Sequence, residues 1–316
     1  MWPAISRCHT LGENVVDWGF MAPSASRLVA QVSEWFVANG RPLPWREENP
    51  GPWGILVVEV MSQQTPIQRV LPVWQEWMQR WPAPGDLAAA APAEVIRAWG
   101  RMGYPRRALQ LQEAARIIDS EYGGKVPAAE TDLLDLPGVG PYTAAAVRSF
   151  AHGERAVVLD TNIRRVLTRT LDGIALPPTH VRARERTRAE RLVPREREAA
   201  ALWNAAVMEF GALVCTARRP ACRQCPLTSC AWREAGYPEN APLRRAQPWI
   251  GSDRQIRGAI MAQLRESEVD LAHEVLTSRV RAAHPDAPAS QVERALATLI
   301  EDSLVEESAG TYHLPR

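Results

Sequence analysis

The sequence predicts an all-α protein with a small winged-helix-like domain at its C-terminal end, and three observations support this. Apolar residues recur at three- and four-residue spacing, which is the period of a helix with one buried face. A glycine-rich turn at residues 137–140 divides one of these runs into two helices with no strand pattern between them. Only residues 303–315 alternate like short strands. The helical runs cover residues 25–38, 55–79, 93–98, 106–120, 130–151 and 162–170.

Length and composition indicate a globular chain. It has 316 residues, 46% hydrophobic and 23% charged, which is enough to bury a sizeable core in two domains or in one two-lobed body with an appendage. No apolar run reaches the roughly 20 residues of a spanning helix, so we expect no membrane partner. The net charge of +1 argues against a basic surface over the whole chain. Lys125 is the only lysine among 37 basic residues.

Residues 1–22 form a leader in which no regular pattern is visible. We expect this leader to be disordered. It lacks the unbroken apolar stretch of a signal peptide, so we expect a cytoplasmic protein. Met21 directly precedes the first helical run and is an alternative start.

The segment LPWREENPGPWGILVVEVMSQQTP contains one carboxylate in an apolar setting. Glu59 is the only charged residue from Trp53 through Met61. At helical spacing its face is shared with apolar and amide side chains, and a desolvated carboxyl there would tend to stay protonated. Glu59 is therefore a candidate proton donor; the alternative is an exposed glutamate on a half-buried helix.

The segment LLDLPGVGPYTAAAVRSFA predicts two helices joined by a tight turn. Gly138 and Gly140 permit positive φ and the close approach of another backbone. Pro141 suits the first position of the second helix. The turn and the helix N-terminus favour an anion such as a phosphate, while a hairpin that only connects two buried helices is the alternative.

After the hairpin, VVLDTNIRRVLTR places a carboxylate at a helix start. Asp160 follows an apolar run and precedes a helix that begins near Asn162. The simplest interpretation is an N-cap. The same position also puts a carboxylate at the mouth of any cleft that the hairpin borders.

Four cysteines lie within CTARRPACRQCPLTSC, with gaps of six, two and four residues. Such clustering in a cytoplasmic chain indicates a metal site, because thiols there stay reduced. A single C-x2-C with looser arms favours an iron–sulfur cluster over zinc, although zinc and unliganded thiols remain open. Three arginines between the cysteines predict a cationic loop suited to phosphate. The candidate ligands are Cys215, Cys222, Cys225 and Cys230, and the arginines are Arg218, Arg219 and Arg223.

The C-terminal part reads as a separate unit after residue 244. Residues 254–265, 271–279 and 290–302 predict three helices, and residues 303–315 predict two strands around an Ala-Gly turn. This order suggests a winged-helix-like domain. The sequence leaves open whether the domain contacts DNA or only packs.

Taken together, LPGVGPYT, LDTN and the cysteine loop resemble the helix-hairpin-helix DNA glycosylases of the endonuclease III superfamily. The segment from Leu43 to Pro66 is similar to the MutY branch, whose members remove adenine mispaired with oxidised guanine. The resemblance covers about residues 26–233. It implies a six-helix barrel, a lobe with one [4Fe-4S] cluster, double-stranded DNA with a mispaired adenine as partner, and a nucleoid-associated monomer.

The resemblance assigns domains and roles position by position. It implies a cluster lobe from 23–46 and 157–236, a barrel from 47–156, a linker at 237–249 and the appended domain at 250–316. Glu59 matches the family's general acid, Asp160 its essential carboxylate, and Tyr142 and Asn162 the residues around that carboxylate. Arg46 matches the arginine that contacts the flipped adenine. The residues matching side chains that enter the duplex are Gln63, Gln64, Thr65, Met102 and Tyr104, and those matching the phosphate hairpin are Gly138, Val139 and Gly140.

Several departures bear on the chemistry. Lyase relatives carry a Schiff-base lysine where this chain has Tyr142, so we expect a glycosylase without strong lyase activity. The last cysteine gap is four residues where the family usually has five, Pro105 stands where a second tyrosine is frequent, and the appended domain is shorter than the usual Nudix-like one. The alternatives are a thymine-mismatch glycosylase and a non-catalytic, metal-containing DNA-binding protein.

Overall fold

The computed structural model describes residues 23–47, 49–239 and 249–316. The all-α prediction is confirmed, with one small sheet near the C-terminal end. The predicted leader and most of the predicted linker lie outside the described residues. The helices are α1 (Pro23–Asn39), α2 (Pro44–Glu47), α3 (Gly51–Ser62), α4 (Ile67–Arg80), α5 (Pro84–Ala89), α6 (Pro92–Trp99), α7 (Arg106–Tyr122), α8 (Glu130–Asp135), α9 (Pro141–Phe150), α10 (Thr161–Asp172), α11 (Ala183–Leu192), α12 (Arg197–Leu213), α13 (Ala231–Glu234), α14 (Asp253–Glu266), α15 (His273–Ala283) and α16 (Ala289–Glu301), and the strands are β1 (Leu271–Ala272), β2 (Glu306–Ser308) and β3 (Thr311–His313).

The chain forms two compact units. The first contains the described residues of 23–56, 128–135 and 139–239, and the second contains 57–127, 136–138 and 249–316. In the described residues no helix is long and apolar enough to cross a membrane.

The core of the first unit forms where α1 and α10 pack against α12. The indole ring of Trp35 meets the Phe210 ring edge-on, with 5.2 Å between ring centroids. Asn204 supplies the polar link inside this core, because its side-chain amide donates to Ser149 Oγ and to the carbonyl of Ala156. Because the buried amide of Asn204 has hydrogen-bond partners, burying it costs little desolvation energy.

In the second unit, α5, α6 and α7 pack together around tryptophans. Trp77 contacts Trp81 and Trp99 edge-on, with centroid distances of 4.8 and 5.5 Å. Each edge-to-face contact of this kind contributes about 0.5–1.5 kcal/mol of stability beyond that gained from the apolar area it buries. The buried amide of Gln112 donates to the carbonyls of Leu87 and Ala90, which ties the end of α5 to α7.

The C-terminal segment has the element order α14, β1, α15, α16, β2, β3, and its antiparallel sheet has the strand order β1-β3-β2. This arrangement agrees with the predicted winged-helix-like fold. One detail differs from the sequence prediction, which began the second helix at Leu271. Leu271 and Ala272 instead pair with Tyr312 and Thr311 of β3, and the helix begins at His273.

The predicted helical run 55–79 is wrong at its centre. Helix α3 ends at Ser62 and α4 begins at Ile67. Gln64 between them has φ +57°, in the left-handed region, and Pro66 lacks the backbone N–H that a continuous helix requires. Apolar residues continue across the break because α3 is buried on nearly all sides and α4 buries one face.

Candidate active site and cysteine loop

Glu59 lies on a helix that is almost entirely buried. Residues 53–61 of α3 are all buried, and the side chain of Glu59 is only 8% exposed. The alternative of an exposed glutamate is therefore wrong. Burial of a carboxyl favours its neutral, proton-donating form.

Two loops of the second unit carry the residues predicted to enter a duplex, and Arg107 joins them. This buried guanidinium donates to the carbonyl of Gln63 and to Thr65 Oγ1 on one loop, and to the carbonyl of Gly103 on the other. It also lies over the Tyr104 ring, 5.0 Å from the centroid. Sequence reasoning missed Arg107, which was one arginine of many in a helical run.

The 100–105 loop, between α6 and α7, presents one of its two candidate side chains. The Tyr104 side chain is 51% exposed although its backbone has φ +51°, whereas Met102 is only 4% exposed and lies beneath the loop. On the other loop Gln64 is exposed and Thr65 is buried. Tyr104 and Gln64 are therefore accessible to a binding partner. Met102 and Thr65 are buried and support the two loops.

The hairpin turn is built around one left-handed glycine. Gly138 has φ +80°, and a Cβ there would come within 3.3 Å of the Gln110 Cβ. Gly138 also accepts a hydrogen bond from Gln63 Nε2 through its carbonyl, at 3.2 Å. Gly140 does not use the positive φ that glycine permits, because its φ is −103° and it caps α9 in extended conformation. A Cβ at Gly140 would meet no atom within 4 Å, which leaves space for a ligand's backbone to approach.

Asp160 caps α10, as the simplest interpretation predicted. Its carboxylate accepts a hydrogen bond from Ile163 N at 2.6 Å. Burial raises the pKa of Asp160, against the hydrogen bonds from Ile163 and Asn162 and the charge of Arg165, which lower it. Arg165 Nη2 also donates to Asn162 Oδ1 at 2.9 Å. The carboxylate thus lies at a helix N-terminus, where its hydrogen bonds favour the anionic form but burial outweighs them and raises the pKa.

Two further contacts place the neighbours of Asp160 in the first unit. The Tyr142 hydroxyl on α9 donates to Met208 Sδ on α12, at 3.3 Å. A Cβ on Gly211 would come within 2.8 Å of the Asn162 Cβ, so a glycine is required where α12 crosses the start of α10.

Arg46 is buried and held by a carboxylate that sequence reasoning missed. Its Nη2 donates to Glu209 Oε2 at 3.2 Å, and its guanidinium lies over the Phe36 ring at 5.0 Å. Arg41 Nε and Nη2 donate to the same carboxylate at 2.7 and 2.8 Å. Burial acts to raise the pKa of Glu209, but the hydrogen bonds from Arg41 and the charge of Arg46 outweigh it and lower that pKa to about 2.

Two of the carboxylates among the closely spaced charges of residues 182–209 are buried and not solvated. Glu185 is buried and paired with Arg164, at 2.9 Å. Glu209 lies in the apolar run NAAVMEFGALV. A lone carboxylate in an apolar helix is the same signal that singled out Glu59, and it could have identified Glu209.

We expect Glu209→Gln to lower the free energy of unfolding at pH 7 by about 3 kcal/mol, because Arg41 and Arg46 lose their buried anion. The folded-state pKa is depressed, so this stabilisation is present above about pH 4.5 and is lost as the pH falls towards about 2. Urea unfolding at several pH values measures the difference. Glu113→Gln, at an exposed pair with Arg116, is the control and should cost under about 1 kcal/mol. Equal stability of the Glu209 variant and wild type at pH 7 contradicts the prediction.

The four cysteines of the loop carry no disulfide and line one cavity together with Arg169, Trp232 and Arg233. Among the described residues no group of three or more His, Cys, Asp or Glu side chains is arranged around a single-ion position. Four thiols around one cavity fit a cluster, in which each thiolate binds a different iron atom. Arg169 Nη1 donates to Cys215 Sγ at 3.4 Å and so resembles the hydrogen bonds that tune cluster sulfurs.

Helix α10 is tied directly to this loop. Arg165 Nε donates to the carbonyl of Cys215 at 2.7 Å, and Arg169 donates to the carbonyls of Thr216 and Ala217. The guanidinium of Arg169 lies over the Trp232 ring, 4.4 Å from its centroid. The cysteine loop and the helix that Asp160 caps therefore share one hydrogen-bond network.

Comparison with known proteins gives consistent findings. Residues 57–190 match the family described as HhH-GPD superfamily base excision DNA repair protein. The chain is 46% identical over 279 residues to an adenine DNA glycosylase of Mycolicibacterium smegmatis, covering 88% of this chain and 92% of that protein. It is 44% identical over 283 residues to an adenine DNA glycosylase of Mycobacterium tuberculosis, covering 89% and 91%. A solved thermostable thymine-DNA glycosylase superposes with a TM-score of 0.62 at 29% identity, over 67% of this chain and 97% of that one.

Proposed function

Since this chain belongs to the adenine DNA glycosylase family of the HhH-GPD superfamily, we propose that it excises adenine mispaired with 8-oxoguanine or guanine. The reaction hydrolyses the N-glycosidic bond and leaves an abasic site. The observation that carries the proposal is the Asp160 carboxylate, held at the N-terminus of α10 by the amide of Ile163. Acting on chromosomal DNA, the enzyme works as a nucleoid-associated monomer.

Two carboxyl groups have different roles in the proposed reaction. Glu59, buried in α3, donates a proton to a ring nitrogen of adenine, which makes the base a better leaving group. Breaking the bond leaves a cationic sugar, and the Asp160 anion stabilises this charge as carboxylates do in glycoside hydrolysis. Asn162 and Tyr142 orient Asp160 and the sugar. Water then adds to the sugar and loses a proton, which balances the proton that Glu59 gave to the base, and the DNA strand stays intact.

A base inside a duplex is out of reach, so the adenine is flipped from the stack before excision. Arg46 contacts the flipped base, and Glu209 fixes the direction of its guanidinium. Tyr104 and Gln64 enter the space that the base leaves, while Gln63, Thr65 and Met102 support them.

The hairpin binds the DNA backbone. Gly138, Val139 and Gly140 bring the N-terminus of α9 to a phosphate, where the helix dipole favours an anion and the open side of Gly140 allows close approach. The contact is independent of sequence and positions the duplex.

We further propose that Cys215, Cys222, Cys225 and Cys230 hold one [4Fe-4S] cluster. The cavity that they share supports this, and so does the cationic loop formed by Arg218, Arg219 and Arg223. When bound, the cluster supplies the cross-link that shapes this loop for phosphate contact.

The test is single-turnover excision with four duplexes: adenine opposite oxidised guanine, guanine or thymine, and thymine opposite guanine. We expect strand breaks at adenine only after alkali, fastest opposite oxidised guanine, because no lysine stands at position 142 to open the sugar. High-yield borohydride trapping of an enzyme–DNA adduct would contradict the monofunctional mechanism. Release of thymine would favour the specificity of the solved thymine-DNA glycosylase, and tight binding without release would indicate a non-catalytic protein.

A further inference from the structure

The C-terminal domain, residues 249–316, is acidic where a DNA reader would be basic. It contains eleven Asp and Glu residues and seven arginines, a formal charge of −4 without its histidines. Winged-helix and helix-turn-helix readers place a recognition helix against DNA, and phosphate contacts supply most of their affinity. In α16 the one cation is Arg294, which lies 3.8 Å from Asp253. Charge therefore argues against DNA contact through this helix.

The domain instead shares a core with the helices on either side of the 100–105 loop. Ile96 of α6 is fully buried in the same apolar cluster as Ile260, Leu299 and Leu304 of the domain. Ala93 of α6 and Leu109 of α7 pack against that cluster. Residues on both sides of the 100–105 loop therefore make apolar contacts with the domain.

Polar contacts repeat this two-sided pattern. Before the loop, Arg97 donates to the carbonyls of Arg265 and Ser267, at 3.4 and 3.3 Å. After the loop, Arg106 Nη1 donates to Asp302 Oδ1 at 3.0 Å. Asp302 is itself held by Arg257 within the domain. The residues flanking the loop are thus fixed to elements of the domain.

The backbone of the loop needs such support. Gly100, Gly103 and Tyr104 all have positive φ, at +59°, +84° and +51°. A bulky residue in the left-handed region persists only where its surroundings hold it there. Arg107 supports the loop from beneath, through the carbonyl of Gly103 and the Tyr104 ring.

We propose that the C-terminal domain is a brace that holds the 100–105 loop in the conformation that presents Tyr104. Its effect on excision rests on the function proposed above, since Tyr104 is the side chain that enters the duplex. The domain acts through Tyr104 and makes no contribution through DNA contacts of its own. It is therefore a positioning element.

The first test is hydrogen exchange of the free, full-length protein. The variant Arg97→Met/Asp302→Ala removes the side-chain polar contacts on both sides of the loop. Amides of residues 100–104 should exchange at least about tenfold faster, because the loop opens more often. Asp270→Ala is the matched control, since Asp270 pairs with Arg316 inside the domain and its loss should leave the loop unchanged. A second variant, Arg106→Gln, alters no residue of the domain and should show the same local effect. Unchanged loop exchange in Arg106→Gln overturns the proposal.

The second test separates bracing from DNA contact by a double-mutant cycle. In single turnover, Arg97→Met/Asp302→Ala should slow adenine release about fivefold, and it should have no further effect in a Tyr104→Ala background. The dependence of binding on salt should stay unchanged. Additive losses of the release rate in the double variant would contradict the proposal. So would a slope of log K against log salt concentration that is smaller in magnitude by about one. If the wild type releases no adenine, the proposed function fails, while the exchange experiment still decides whether the loop is braced.

Discussion

Asp160→Asn is expected to slow adenine excision on the order of 10³-fold, because the variant loses the anion that we propose stabilises the cationic sugar. The change is conservative for the fold. Asn is as good an N-cap as Asp, so its side chain still accepts the hydrogen bond from Ile163 and α10 is preserved. DNA affinity should stay within about threefold of wild type, which single-turnover excision and a binding titration measure together.

Asp172→Asn is the matched control for this variant. Asp172 ends the same helix and pairs with Arg188, so the control removes a carboxylate of α10 without touching its N-terminus. Its excision rate should equal that of wild type. An Asp160→Asn enzyme with wild-type activity would exclude this carboxylate from the chemistry.

The pH profile gives a second measurement on Asp160. Burial raises its pKa above the ordinary value of 3.8, so the carboxylate becomes protonated at a higher pH than a surface aspartate does. Excision should therefore fall on the acid side at a pH above that value. Asp160→Asn should remove this limb from whatever residual activity remains.

Cys225→Ser is expected to remove the cluster and to destabilise the first unit by more than about 4 kcal/mol, because binding of a structural metal group is part of the folding free energy. Wild type should contain about four iron and four sulfide ions per chain. Excision should fall as well, since the loop shares hydrogen bonds from Arg165 and Arg169 with the helix that Asp160 caps.

Cys8→Ser provides the control for the cysteine experiment. Cys8 lies apart from the loop in sequence, so its replacement should leave iron, sulfide and activity unchanged. Zinc in place of iron in the wild-type protein would contradict the cluster. Full iron content in Cys225→Ser would show that this cysteine is not a ligand.

Much of the fold was predictable because local patterns govern it. Membership of the glycosylase superfamily, inferred from LPGVGPYT, LDTN and the cysteine loop, is confirmed. The end of α3 was missed because the apolar period runs through it, although Pro66 signalled a break. The sequence could not decide between the conformations of Gly138 and Gly140, because glycine permits positive φ without requiring it.

The site was predictable only where a motif is contiguous. Asp160 could be placed at a helix start from its neighbours alone. Glu209 lies 163 residues from Arg46, and no local pattern connects them. Arg107 gains its role by joining the Gln63 carbonyl to the Gly103 carbonyl, which requires two loops to meet. The structure shows such long-range partners directly.

The packing of α1 against α12 has a consequence for synthesis of the chain. Helix α1 ends at Asn39 and α12 begins at Arg197, and the paired residues Arg41 and Glu209 are 168 positions apart. At roughly 5–20 residues per second, the ribosome needs roughly 10–30 s to deliver α12 after α1 has emerged. Throughout that interval the buried residues Val29, Val32 and Phe36 of α1 lack the packing that α12 provides in the finished protein. The nascent chain thus exposes apolar residues of its first helix until more than half of the chain has been synthesised.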